Sequence, residues 1–316
     1  MKRRGYAAFS AAILLCMLVS VCGCKRTPPN VRDGTQPHAA YAVLLPSNGD
    51  TAVDRMRAGV EAEAARQGST VDIFYTDNAQ DSDGLRELLE FCAEQGYRAL
   101  GIALSLADAD GEESISAAAE QGLPIVLFGV PTDFTSSEMH ADGVFAVVTV
   151  DAVKLGELGA NYIVSKCTAG GTVAILAESV ADAPQQQGAE SVFRAATGLQ
   201  LLESAPSDDA ASTLQMRAEQ LIRENPKLTA IYCCSNRASL AASRAAKNEG
   251  RDRELWIVGT DCAEFAHKQN ENDATVAIDY QEIGAEAFRK MNEAATCGNA
   301  LPAEPATVYA EPYILQ

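Results

Sequence analysis

From Tyr41 onward, short apolar runs alternate with longer stretches that are apolar on one side only. Tyr41–Leu45, Val71–Tyr75, Ala99–Leu104 and Pro124–Val130 are the apolar runs of the first half, and the amphipathic stretches Ala52–Gln67, Ser82–Gln95 and Glu112–Gln121 separate them. Apolar runs of that length between helices predict buried parallel strands. Gly68, Gly96 and Gly122 stand where the three helices should stop, because glycine accepts the left-handed C′ conformation. After Val144–Val150 the rhythm restarts. Helices are predicted at Ala152–Ser165, Gln186–Thr197, Ala211–Asn225 and Ala238–Lys247, and strands at Thr172–Ala177, Leu199–Glu203, Ala230–Cys234 and Leu255–Val258. Asn248-Glu249-Gly250 stops the Ala-rich helix, and a last helix, Glu282–Ala295, precedes an extended piece, Ala306–Leu315. The alternation predicts an α/β chain of two similar doubly wound, Rossmann-like parallel-sheet domains meeting near Val150–Asp151.

The first 40 residues do not share this rhythm. Lys2, Arg3 and Arg4 form a basic start, and Ala7–Val21 is an apolar run too short for a membrane span, which needs about 20 residues. Residues 1–23 are therefore expected to be a signal segment. The run ends in Val21-Cys22-Gly23-Cys24, which resembles the bacterial lipobox. That resemblance implies lipidation at Cys24 and a mature chain anchored by its acyl groups on the outer face of the cell membrane. Residues 24–40, rich in Pro and charge with no apolar period, read as a flexible tether.

Composition narrows the partners. The net charge is −18, and losing Lys2, Arg3 and Arg4 would take it three units lower. A surface that acidic repels phosphate backbones, so no nucleic-acid partner is expected. Cys92, Cys233 and Cys234 occupy apolar positions of regular elements, where a free thiol packs as a small hydrophobe. Cys167, Cys262 and Cys297 leave disulfides open for an exported chain.

In an open parallel sheet, ligands bind beyond the carboxyl ends of the strands. Asn236 and Asp261 end neighbouring predicted strands and become candidate ligand residues, although both types also cap helices well. The same position rule adds Asn48 and Asp50, Thr76 and Asp77, Ser105, and Asp279-Tyr280, with Tyr280 a candidate stacking ring or a packing residue. Trp256, the single tryptophan, lies inside a strand run and is expected in the core. Catalytic patterns are missing: no Gly-x-Ser-x-Gly elbow, no Gly-x-x-x-x-Gly-Lys-Ser/Thr loop and no Gly-x-Gly-x-x-Gly after a strand. His38, His140 and His267 are too scattered to suggest a metal site. Neither an enzyme nor a cofactor is expected.

A family resemblance rests on phrases in order along the body. They are Arg57-Ala58-Gly59-Val60 with Glu63-Ala64-Ala65; Gln121-Gly122-Leu123-Pro124-Ile125-Val126; Val148-Thr149-Val150-Asp151 with Gly156; Cys234-Ser235-Asn236; Val258-Gly259-Thr260-Asp261; and Ala274-Thr275-Val276 with Gly284. Together they resemble the type I periplasmic sugar-binding proteins, the ribose- and galactose-binding receptors of ABC importers. Sugar-responsive repressors share that body but carry an N-terminal helix-turn-helix, where this chain has a signal segment.

The resemblance implies two lobes, 41–149 with 281–309 and 150–280 with 310–316, joined by three hinge crossings and closing on a ligand. It also implies Asn236 and Asp261 as hydroxyl contacts. Elsewhere the chain departs from the family pattern. Ala52 and Val53 replace stacking aromatics, Gly129 and Val130 an Asp-Arg pair, Ile278 a hinge Gln, and Arg237 an Asp. Gln187, next to Gln185 and Gln186, stands for a ligand Arg, and Asp209 for an aromatic. The function implied is a monomeric, lipid-anchored solute-binding protein carrying a sugar or polyol to an ABC permease. A sensory lipoprotein docking a membrane histidine kinase or chemoreceptor is the other reading.

Overall fold

The computed structural model describes residues 39–47, 51–76, 82–107, 109–130, 144–178, 182–202, 211–262, 273–297 and 304–316. In chain order the elements are β1 (Tyr41–Pro46), α1 (Thr51–Arg66), β2 (Val71–Thr76), α2 (Ser82–Gln95), β3 (Ala99–Ala103), a single 3-10 turn (Leu104–Leu106), α3 (Ala109–Glu120), β4 (Ile125–Phe128) and β5 (Val144–Val150). Then come α4 (Ala152–Lys166), β6 (Gly171–Leu176), α5 (Ala183–Ala195), β7 (Leu199–Leu201), α6 (Ala211–Glu224), β8 (Leu228–Cys233), α7 (Asn236–Asn248) and β9 (Trp256–Cys262). The last elements are β10 (Ala274–Ile278), α8 (Tyr280–Cys297), β11 (Ala306–Ala310) and β12 (Tyr313–Leu315).

Two six-stranded sheets result, ordered β11-β5-β4-β3-β1-β2 and β12-β10-β9-β8-β6-β7. The first is parallel throughout; in the second only β12 runs antiparallel, against β10. Their central strands are buried along nearly their whole length, which is why those strands read as unbroken apolar runs. In both sheets the strand order reverses beside the first strand, between β1 and β3 and between β6 and β8. These reversals are the topological switch points of a doubly wound fold.

The chain passes from one sheet to the other three times. β5 leads into α4, which packs on β8, β9 and β10; β10 leads into α8, which packs on β3, β4 and β5; and β11 leads into β12. Asp151 caps α4 by accepting from the Lys154 N–H at 3.1 Å, and Asp279 caps α8 by accepting from the Glu282 N–H at 3.0 Å. The expected single piece Ala306–Leu315 is divided at Glu311-Pro312. Proline has no N–H for a ladder, so the strand stops there and restarts in the other sheet.

Each half contains one unusually close helix pair. A Cβ on Gly59 of α1 would lie 2.0 Å from the Gln281 carbonyl of α8, and one on Gly284 of α8 would lie 2.0 Å from the Met56 carbonyl of α1. Gly156 and Gly188 repeat the arrangement between α4 and α5, at 1.9 Å from the Gln185 carbonyl and 2.0 Å from the Val153 carbonyl. Glycine is required at these crossings because backbone meets backbone.

Cys92, Cys167, Cys233, Cys234 and Cys297 are free thiols, the first, third and fourth buried. Burial pushes the Cys92 thiol up to about 12, so it stays protonated. Trp256 is half-buried rather than deep in the core, because it opens β9 and Lys166 lies over its ring. Among the described residues no helix is long and apolar enough to cross a membrane.

Candidate ligand site at the strand ends

The second switch point carries a polar constellation. The last ladder bond between β6 and β8 runs from the Cys234 N–H to the Leu176 carbonyl at 3.1 Å. Beyond it, Glu178 follows β6 while Ser235, Asn236 and Arg237 follow β8. Ser235 is the N-cap of α7: its hydroxyl oxygen accepts from the Ala238 N–H at 3.1 Å and donates its own proton to Glu178 Oε2 at 2.8 Å. Glu178 Oε1 pairs with the Arg237 guanidinium, and the Glu178 N–H donates to Asp182 Oδ2 at 2.7 Å. From the far side, Arg217 Nη1 reaches the Ala177 carbonyl at 3.5 Å.

Asn236 therefore does not cap its helix, since Ser235 holds that position. Its side-chain oxygen is buried and makes no hydrogen bond to the protein. A buried acceptor left unmade costs roughly 1–3 kcal/mol. Asp261 lies on the adjacent strand, its backbone in register with Ala277 of β10, and its side chain is outside the described residues.

The three glutamines at the start of α5 divide by helical phase. Gln187 is exposed on the outer side of the helix. Gln185 is buried and donates to Tyr232 Oη at 2.7 Å and to Thr260 Oγ1 at 2.8 Å. Tyr232 Oη donates to the Leu155 carbonyl at 3.1 Å, and burial holds this phenol well above its ordinary pKa. This closed cluster braces α5, β8, β9 and α4 directly beneath the rim. Gln187, expected among the ligand residues, stands exposed while Gln185 turns inward, and α5 begins at Ala183 with Pro184 in its first turn, three residues before the expected start at Gln186.

At the first switch point the described polar groups are few. Ser47 donates its N–H to the Thr76 carbonyl at 3.0 Å, and Ser105 sits half-buried in the 3-10 turn after β3. Asn48, Asp50, Asp77 and Asp209, like Cys24, lie outside the described residues. Tyr280 is half-buried as the first residue of α8. Beside it, a depression of about 290 Å³ is lined by Asp279, Glu282, Glu286, Glu311, Tyr309 and Tyr313 among others. Its carboxylates are already engaged: Asp279 caps α8, Arg289 holds Glu282 and Glu286, and Lys154 holds Glu311 at 2.5 Å. That leaves little unmet polarity for a ligand there. Among the described residues no cluster of His, Cys, Asp or Glu could hold a metal ion.

Residues 41–300 match the family model described as the periplasmic binding protein domain. The chain belongs to this family. It is 30% identical over 276 residues to the D-allose-binding periplasmic protein of Escherichia coli (strain K12), covering 85% of this chain and 88% of that protein. The ribose import binding protein of Bacillus subtilis (strain 168) is 25% identical over 283 residues, 87% of this chain and 88% of the relative. The arabinose-binding protein AraP of Geobacillus stearothermophilus superposes with a TM-score of 0.75 at 16% identity, covering 88% of this chain and 97% of that one, which is a likeness of fold. As a type I periplasmic sugar-binding protein, the chain is a binding protein and not an enzyme.

Sequence reading gave Glu178 and Tyr232 no role, and named Gln185 and Thr260 only as neighbours of Gln187 and Asp261. Position offered a signal only for Glu178, which directly follows the predicted strand Thr172–Ala177.

Proposed function

We propose that this protein is an extracytoplasmic receptor that captures a neutral sugar or polyol and hands it to an ABC permease. The observation that carries the reading is the buried, unpartnered Asn236 oxygen at a switch point of the fold. A sugar hydroxyl supplies the donor that this oxygen lacks, and Asp261 on the next strand end accepts another. The ligand would sit between the two strand-end rims, with 41–149 plus 281–309 and 150–280 plus 310–316 acting as lobes that close about the crossings near Asp151, Asp279 and Glu311. The names of the relatives support a monosaccharide as ligand. D-allose and D-ribose are the first compounds to test, by calorimetry on the body from residue 41. Binding of either should be lost on Asn236→Ala by roughly 5- to 150-fold. No heat with any neutral sugar or polyol would overturn the reading.

In the same proposal residues 1–23 are a signal segment, 24–40 a tether, and Cys24 the lipidated residue. Cys24→Ala should move the protein from membrane to soluble fractions. Continued pelleting of an unlipidated variant would remove the anchor.

A further inference from the structure

The Arg237 side chain is more than half exposed (56%) at the rim, while that of Glu178 beneath it is only 19% exposed. An arginine beside a sugar site would ordinarily attract anionic ligands, because its fork matches a carboxylate. Here one arm of the fork, Nη1, is already paired from inside the protein. Glu178 gives one oxygen to Arg237 and the other to Ser235. The carboxylate is thus held at two points, while the Glu178 backbone N–H is tied to Asp182 and Ser235 to the first turn of α7. The neighbouring group with unmet bonding, the Asn236 oxygen, is an acceptor.

Resting on the ligand reading above, we propose that Glu178 is a specificity-determining residue. It is the built-in counter-ion that occupies Arg237 and makes this rim select neutral hydroxyl donors over sugar acids. A hydroxyl brings the proton that Asn236 needs. A carboxylate brings only acceptors, and would face the Asn236 oxygen and the Glu178 and Asp182 charges with Arg237 already engaged. Once the ligand displaces water from the rim, such an unmatched charge becomes costly.

Removing the counter-ion alone frees the arginine. Glu178→Gln keeps the shape and can still accept from Ser235. It should raise the affinity for D-glucuronate or D-galacturonate, relative to D-allose or D-ribose, by about tenfold or more. Adding Arg237→Gln to that variant should abolish the gain. The readout is the ratio of uronate to neutral-sugar affinity by calorimetry, with thermal unfolding as the check on the fold. A purely structural pair would lower both affinities together and leave the ratio unchanged, which overturns the proposal while the sugar-binding reading stands. Wild-type protein that prefers uronates also overturns it. Wild-type protein that binds neither class overturns both readings. If Glu178→Gln does not fold, Arg237→Gln alone serves: the proposal requires it to leave the wild-type preference for neutral sugars intact, and a large loss of neutral-sugar binding would refute it.

Discussion

Gly284→Ala tests the close helix pairs. A carbon–oxygen contact settles at about 3.3 Å, so a methyl group placed 2.0 Å from the Met56 carbonyl must drive α1 and α8 roughly 1.3 Å apart. Neither side can yield by turning a side chain, because the opposing atom is backbone. Separation of that size forfeits a quarter to a half or more of the dispersion between the packed faces. Those faces hold Val60 and Ala64 on one helix and Ile283, Ala287 and Phe288 on the other, all essentially inaccessible to solvent. Overpacking of this kind costs about 1–3 kcal/mol, and a backbone obstacle puts it at the upper end. Alanine returns about 1 kcal/mol of helix propensity. The net expectation is destabilisation by roughly 2 kcal/mol, a fall in Tm of about 3–4 °C at this chain length.

The assay is urea unfolding followed by circular dichroism, with the fluorescence of Trp256 as a second probe that reports on the second sheet. Gly59→Ala should cost a similar amount. The double variant should cost less than the sum, because one separation accommodates both methyl groups. Gly156→Ala acts at the other pair and should add fully to Gly284→Ala. A more stable Gly284→Ala protein, or strict additivity of Gly59→Ala with Gly284→Ala, would refute the argument that backbone contact fixes these helices.

Two further outcomes follow from buried polar groups. Glu63 is buried between α1 and α8, and hydrogen bonds from Arg66, against the cost of burial and with help from Gln67 and Arg289, hold its carboxyl down at about 2. A depressed pKa stabilises the fold above the unfolded value of 4.5 and loses that contribution as pH falls toward 2. Glu63→Gln should therefore be less stable than wild type by roughly 2–3 kcal/mol at neutral pH, with the gap closing between about pH 4.5 and 2 in pH-stepped urea titrations; a gap independent of pH would count against the ionic account. Tyr232→Phe takes the acceptor from one proton of the buried Gln185 amide, while Thr260 Oγ1 keeps the other, and should cost roughly 1–3 kcal/mol by the same titration at neutral pH, whereas wild-type stability would mean that the cluster relaxes without the hydroxyl.

The apolar period by itself determined the element types and most of their limits. Val144–Val150 and Ser82–Gln95 are read to the residue, because burial on both faces of a strand and on one stripe of a helix leaves a local imprint. Local glycine signals were equally legible: Gly68, Gly96, Gly122 and Gly250 all stop helices with φ between 69° and 85°. The division at Pro312 carried a local cue, but which sheet each piece joins is decided by partners more than a hundred residues away for β11 and by the turn of the chain back onto β10 for β12. The choice of Gln185 over Gln187 depends on how α5 is rotated against its sheet, and three successive glutamines carry no phase of their own. Glu178 and Arg237 are far apart in the chain and meet only because β6 and β8 lie side by side across the switch point. Strand adjacency is a product of long-range packing, so the chemistry of the rim became visible only once the sheet had formed.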